Sequence, residues 1–240
     1  MITSTQNQTI KDIAKLSTQK DILCLDNPKL IEEAISSGNQ LLYVLRTDNA
    51  KVFSQNDIVV SDNVLKKFTN TITSQGVVAL FKQKQLVPQK PKGNFLVMDR
   101  LQDPGNVGTL IRSAVGSDFL DIYLVSCVNL TNPKLVRSTM GAMFKARLYE
   151  VDENFVKDVL AVHTLCVADM NGENVFETEF SGICGIVVGN EGQGVSQNLK
   201  NIANKTLSIP MKNNLESLNA GVSGSIIMYQ ISNGGKNVRS

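Results

Sequence analysis

Residues 186–196, IVVGNEGQGVS, leave an apolar run for three glycines, Gly189, Gly192 and Gly194, and then resume in a helix-like register. The run reads as a buried strand that ends in a loop. Its G-x-x-G-x-G spacing is not the G-x-G-x-x-G dinucleotide fingerprint, and no G-x-x-x-x-G-K-S/T phosphate loop occurs in the chain. The loop also follows the fifth strand of its region, whereas a dinucleotide turn follows the first. A nicotinamide or nucleoside-triphosphate site is therefore disfavoured. The glycines supply backbone freedom, so that exposed amides can face a ligand other than a phosphate, and Glu191 is the acid of the loop.

Outward from this stretch, apolar runs alternate with helical periods. FLVMDRL, DFLDIYLVS, ARLYEVD, TLCVADM, GICGIVVGN and TLSIPM read as strands, separated by helix-like NVGTLIRSAVG, NPKLVRSTMGAM, ENFVKDVLAV and SQNLKNIAN. Strands apolar on both faces and divided by helices predict an α/β fold with a mostly parallel sheet, whose ligands bind beyond the carboxyl ends of the strands. Two more loops rich in small and polar residues fall there. In DRLQDPGNVGTLIRSA (99–114), Asn106 is a candidate helix N-cap, and Val107, Leu110, Ile111 and Ala114 form the buried stripe. Arg112 then points away from the core, either as a solvated side chain or as a guanidinium aimed at a phosphate or substrate oxygen. In IPMKNNLESLNAGVSGSIIMYQI (209–231), Gly221 and Gly224 lie within a helical stretch. Each disfavours a helix by about 1 kcal/mol relative to alanine, which is tolerable where another backbone passes close. Ser217 and Asn219, taken alone, are equally well capping residues or site residues.

Upstream, KQKQLVPQKPKGN (82–94) carries two prolines, a glycine and no apolar period. It divides the chain into a domain at 1–85, a linker at 86–93 and a domain at 94–240. Before it, a helix near 8–17, DILCL, NPKLIEEAISSG, LLYVLRT, DIVVS, DNVLKKFTN and GVVALFK predict a small α/β unit. Charge follows the same division: residues 1–93 hold 12 Lys and Arg against 8 Asp and Glu, and residues 94–240 hold 12 against 14. From Asn63 to Met98 there is no carboxylate but there are six lysines, including Lys66, Lys67, Lys82 and Lys84. They form either a solvated face or a footprint for a polyanion such as RNA.

With 240 residues, 42% hydrophobic and 19% charged, the chain is long enough to bury a core without staples. No apolar run is long enough to span a membrane, and MITSTQNQTIKDIAKL lacks the pattern of a signal peptide, so a cytoplasmic location is expected. Cys24, Cys127, Cys166 and Cys184 are widely spaced in apolar surroundings. They are expected to be buried thiols rather than disulfides or metal ligands, and no metal is expected.

DPGNVGTLIR (103–112), VVGNEGQGVS (187–196) and IPMKNNLESLNAGVS (209–223), in this order, resemble the three motifs of the SpoU/TrmH family of the SPOUT superfamily. These are RNA ribose 2′-O-methyltransferases that use S-adenosylmethionine. The resemblance covers 94–232. KLIEEAISSG and SDNVLKKFTNTITSQGVVALF are similar to the small ribosomal-protein-like α/β substrate-binding domain that precedes the catalytic one, although Asp26-Asn27 stands where Glu-Gly is usual.

The resemblance implies a C-terminal trefoil knot and a homodimer built by the C-terminal domain, with the arginine of one subunit able to serve the other. It places S-adenosylmethionine against Gly189, Asn190, Glu191, Gly192, Ile209, Met211 and Leu218. It places Arg112 at the reacting hydroxyl, with Asn106, Glu191, Ser217 and Asn219 completing the catalytic set. A guanidinium has no acceptor lone pair, so orienting a phosphate and stabilising a developing alkoxide is an easier role for Arg112 than taking a proton. The expected substrate is structured RNA, ribosomal before transfer RNA. The rival reading is a non-catalytic RNA-binding or ribosome-assembly protein that retains the fold. A cysteine-nucleophile mechanism is disfavoured because none of the three loops holds a cysteine.

Overall fold

A computed structural model describes residues 1–69, 74–213 and 215–234. By internal contacts it forms two units, Met1–Gln85 with Asn129–Pro133, and Leu86–Val128 with Lys134–Ser240.

In the first unit, α1 (Gln8–Leu16), β1 (Ile22–Leu25), α2 (Pro28–Ser36), β2 (Gln40–Arg46), β3 (Ile58–Val59), α3 (Asp62–Leu65) and β4 (Val77–Lys82) build a sheet of order β1-β4-β2-β3. β4 is antiparallel to both β1 and β2, and β3 is parallel to β2. Ile10 and Ile13 of α1 and Val64 and Leu65 of α3 pack with Leu45, Val78 and Leu80, the same-face residues of their strands. Asn27 has a local role: its Oδ1 accepts from Lys29 N at 2.9 Å and Leu30 N at 3.3 Å, capping α2 ahead of Pro28. Gly38 ends that helix region in the left-handed conformation at φ 81°. α3 is shorter than DNVLKKFTN suggests. After Leu65 the chain tightens through Lys67 N to Val64 O and Phe68 N to Leu65 O bonds, and residues 70–73 lie outside the described ones.

The second unit runs β5 (Phe95–Asp99), α4 (Pro104–Gly116), β6 (Asp121–Val125), α5 (Pro133–Ser138), a 3-10 turn (Ala142–Phe144) and β7 (Arg147–Val151). It continues with α6 (Glu153–Phe155), a π-turn (Val156–Leu160), β8 (Thr164–Asn174), β9 (Cys184–Gly189), α7 (Gln197–Ile202), β10 (Lys205–Ser208) and α8 (Ala220–Ser232). All six expected strands form, in the order β10-β8-β9-β5-β6-β7, and every described pair is parallel. β5 and β6 are buried along their whole length, as helices on both faces require. The order reverses between β5 and β9, whose ends Asp99 and Gly189 lie side by side, so the loops after these strands flank the switch point where such sheets bind ligands.

Residues 86–93, linker-like in composition, are held along the amino edge of this sheet. Tyr123 Oη donates to Gln89 O at 2.8 Å, and Lys92 N donates to Asp121 Oδ2 at 2.8 Å. Asp121, 1% exposed, also takes a two-pronged contact from Arg147 at 2.5 and 2.8 Å. Burial works to raise its carboxyl, but the bonds from Arg147 and Lys92 prevail and hold it below the usual carboxylate range.

Candidate functional site

The middle of β8, the carboxyl ends of β9 and β10 and the start of α8 line a cavity of about 810 Å³, within the range of small-ligand sites. Gly189, Asn190, Glu191, Gly192, Ile209, Met211 and Leu218 all line it, together with Ser217 and Asn219. Ile209, Met211 and Leu218 are half-buried and form its apolar wall, and Ser217 is an exposed side chain of the lining.

The three loops are joined by one chain of side-chain hydrogen bonds. Asn219 Nδ2 donates to Asn106 Oδ1 at 2.8 Å, and Asn106 Nδ2 donates to Glu191 Oε1 at 3.0 Å. The same Glu191 oxygen accepts from Asp103 N at 3.4 Å. Asn219 also caps α8 through bonds from Gly221 N at 2.9 Å and Val222 N at 3.3 Å, so its capping and site placements coexist. Asn106 is not the N-cap of α4. Asp103 takes that place, accepting from Asn106 N at 2.9 Å, and Pro104 fills the first helical position, where no N–H is needed. Freed from capping, the Asn106 side chain is buried between the other two loops.

The glycine loop differs from its expected use. Asn190 Oδ1 accepts from Gly192 N at 3.0 Å and Gln193 N at 3.1 Å, and Gly194 N donates to Asn190 O at 2.8 Å. The amides of Gly192 and Gln193 are thus taken by the Asn190 side chain, and that of Gly194 by the Asn190 main-chain carbonyl, in closing the turn. Gly221 and Gly224 are close-approach residues, but what they approach is side chains rather than backbone. A Cβ at Gly221 would meet Thr109 of α4 at 3.2 Å, and one at Gly224 would meet Val188 of β9 at 2.9 Å and Leu110 closer still.

Arg112 is exposed on α4, outside the cavity lining, and among the described residues it takes part in no hydrogen bond or ion pair. It lies six residues from Asn106, about 9 Å along the helix axis. Lys66, Lys67, Lys82 and Lys84 are exposed on the first unit; Lys82 lies 4.0 Å from Asp21, and no described contact joins the Lys66–Lys67 pair to the other two.

The sequence reading did not single out Asp99 and Arg100. Asp99 is fully buried at the end of β5, accepting from Ser196 N at 2.7 Å and Arg100 Nε at 3.1 Å. Arg100 adopts φ 57°, donates to Gln193 Oε1 at 3.2 Å, and accepts from Asn190 Nδ2 through its own carbonyl at 3.0 Å. An acid closing an apolar strand was the available signal; the left-handed arginine had none. Asp169 and Lys200, which also line the cavity, were missed because they come together only through the fold.

The cysteines are free, and burial pushes the thiols of Cys24 to about 11 and of Cys127 and Cys166 to about 12, which leaves them protonated. Among the described residues no cluster of His, Cys, Asp or Glu is arranged to hold a metal, and no helix is long and apolar enough to cross a membrane.

Comparison with known proteins accords with this arrangement. An uncharacterised tRNA/rRNA methyltransferase of Synechocystis sp. is 28% identical over 95% of this chain and 92% of its own length. The 23S rRNA (guanosine(2553)-2'-O)-methyltransferase RlmP of Bacillus subtilis is 28% identical over 96% of this chain and 98% of its own length. The crystal structure of an AdoMet-bound rRNA methyltransferase from Sinorhizobium meliloti superposes with a TM-score of 0.84 over 95% of both chains at 23% identity, which establishes a shared fold. The profile of the SpoU rRNA methylase family matches residues 93–229, more than half of the chain and all three site loops, and the chain belongs to that family.

Proposed function

We propose that this protein transfers a methyl group from S-adenosylmethionine to a ribose 2′-hydroxyl of structured RNA, with ribosomal RNA as the substrate class. The observation that carries the reading is the Asn219–Asn106–Glu191 chain of hydrogen bonds, which ties the first turn of α4 to the two loops that line the cavity, while Arg112 stands uncommitted on the same helix as Asn106. The cavity fits the cofactor in size and in wall chemistry. Half-buried Ile209, Met211 and Leu218 suit the faces of a heteroaromatic ring, and polar side chains and free backbone groups of the Gly189–Gly192 turn suit the cofactor's polar parts. The Bacillus subtilis relative, a 23S rRNA 2'-O-methyltransferase, and the AdoMet-bound rRNA methyltransferase from Sinorhizobium meliloti support this reading of reaction and cofactor class.

When bound, S-adenosylmethionine supplies a methyl group already activated on a sulfonium, so the protein's task is chiefly positioning. Glu191 and Asn106 hold each other and leave the cavity wall rigid. The Arg112 guanidinium orients an RNA phosphate and stabilises negative charge developing on the ribose oxygen. Because Arg112 is exposed and outside the cavity lining, it serves the cofactor of a second copy, in a homodimer formed by the 94–240 domain. Val222 and Tyr229, 44% and 49% exposed on α8, support such an interface, and full-length protein is expected to run as a dimer by light scattering at micromolar concentration. The chain path from β10 at the sheet edge, across the strand ends, to α8 against α4 and β9 supports the knotted threading.

The direct test is transfer of labelled methyl from S-adenosylmethionine to ribosomal RNA, followed by nuclease digestion to nucleosides. Label in a 2′-O-methylnucleoside is the expected result. Cofactor binding with no transfer to any ribosomal or transfer RNA would instead favour a non-catalytic RNA-binding role.

The first unit is the substrate-recognition domain in this reading, with Lys66, Lys67, Lys82 and Lys84 contacting RNA phosphates. Replacing all four with glutamine is expected to weaken RNA binding and to flatten its dependence on salt, since each phosphate contact contributes roughly 0.7 to 0.9 to the log–log slope. Because Lys82 is already near Asp21, its share should be the smallest. S-adenosylmethionine affinity should not change. A quadruple variant with unaltered slope and affinity would reduce these lysines to a solvated face.

A further inference from the structure

Three carboxylates belong to residues lining the cavity, Asp169, Glu191 and Glu216, and they differ in how they are held. Glu191 already ties the loops together through Oε1, which accepts from both Asn106 and Asp103, and Glu216 lies on the exposed segment just before α8. Asp169 is different. β8 pairs with β10 through Cys166 and Val167 and again through Glu173 and Asn174, and the residues between bulge out, bringing Ala168, Asp169 and Met170 to the cavity. Lys200 of α7 pairs with Asp169 Oδ2, and Asn171 N donates to Oδ1 at 3.2 Å. The carboxylate has roughly four acceptor sites, so about two remain. Its side chain is 21% exposed, and Asp169 is part of the cavity lining.

We propose that Asp169 accepts hydrogen bonds from the vicinal ribose hydroxyls of the cofactor's adenosine, making it a specificity residue for the nucleoside; this rests on the methyltransferase reading above. A diol presents two O–H donors that a carboxylate with two open acceptor sites can take together, and O–H···O⁻ bonds are among the stronger hydrogen bonds in proteins. Dinucleotide-binding sheets likewise use an acid to hold a ribose hydroxyl. Lys200 has a supporting part: its bond lowers the Asp169 carboxyl, which keeps the group ionised and acceptor-only near neutral pH.

Calorimetry on the full chain tests this without turnover, using S-adenosylhomocysteine, its 2′-deoxy and 3′-deoxy counterparts, and 5′-methylthioadenosine, which keeps the diol but lacks the amino-acid tail. Wild-type protein should bind the deoxy ligands about 10- to 100-fold more weakly than S-adenosylhomocysteine. D169N should lose a similar factor for S-adenosylhomocysteine and for 5′-methylthioadenosine, and should no longer distinguish the deoxy ligands. K200M retains the carboxylate and should still distinguish them, which separates diol recognition from mere loss of the ion pair. Discrimination that survives in D169N overturns the proposal. So does a D169N defect seen with S-adenosylhomocysteine but absent with 5′-methylthioadenosine, which would move Asp169 to the amino-acid tail. Wild-type protein that binds none of the four ligands would overturn the methyltransferase reading itself.

Discussion

Arg112→Ala is expected to reduce methyl transfer by about 100-fold or more, the scale of losing one donor aimed at developing negative charge, while S-adenosylmethionine affinity stays within a few-fold. Both halves follow from placement. Arg112 is exposed and outside the cavity lining, so its removal leaves the cofactor walls intact. Alanine at an exposed helical position also leaves α4 stable. Arg112→Lys should recover only part of the loss, because an ammonium keeps the charge but not the planar fork that grips a phosphate. Single-turnover transfer beside calorimetry reads the two quantities separately. Substantial turnover in Arg112→Ala would remove the residue from the mechanism.

The second large effect is expected at Gly189. A Cβ there would lie 2.5 Å from the carbonyl oxygen of Gly194 and closer still to Val195 N, both backbone atoms of the turn that walls the cavity. Backbone cannot rotate aside as a side chain can, so Gly189→Ala must push the turn away from the end of β9. We expect cofactor affinity to fall by about 10- to 100-fold, equivalent to about 1.4–2.8 kcal/mol, with a lowered melting temperature. Gly192→Ala is the control for the fold of the turn: its Cβ would meet nothing nearer than Asn190 Oδ1 at 3.7 Å, so the melting temperature should change little. Equal effects at the two positions would mean that chain flexibility, not close approach, is what these glycines provide.

That contrast marks where reading the sequence stops. The α/β alternation and the six strands of the second unit were legible because apolar runs such as Phe95–Asp99 and Cys184–Gly189 are buried on both faces and bounded by turn residues. The loops were legible because small residues gather after those strands. Sequence treats Gly189, Gly192 and Gly194 alike, whereas the structure requires close approach at the first, φ 66° at the third and neither at the second. Asn106 shows the same limit. Two residues near the start of a helix can both cap, and Asp103 takes the role because Pro104 follows it at the first helical position, leaving Asn106 to bridge Glu191 and Asn219. The Asp169–Lys200 pair lies beyond any local pattern, since 31 residues separate its members and a strand bulge presents the acid.

The wholly parallel sheet has a consequence during synthesis. β5 finally lies between β6 and β9, yet β9 begins at Cys184, long after β5 ends at Asp99. At about 5–20 residues per second, β5 waits roughly 4–17 s for its second neighbour to leave the ribosome. Throughout that interval Phe95, Leu96, Val97 and Met98, none of them exposed in the finished protein, belong to an unpaired edge able to template intermolecular pairing. The nascent chain therefore passes through an aggregation-prone stage set by its topology alone. The cavity cannot bind until β10 and α8, at the far end of the chain, have docked, so ligand binding cannot protect the chain through that wait.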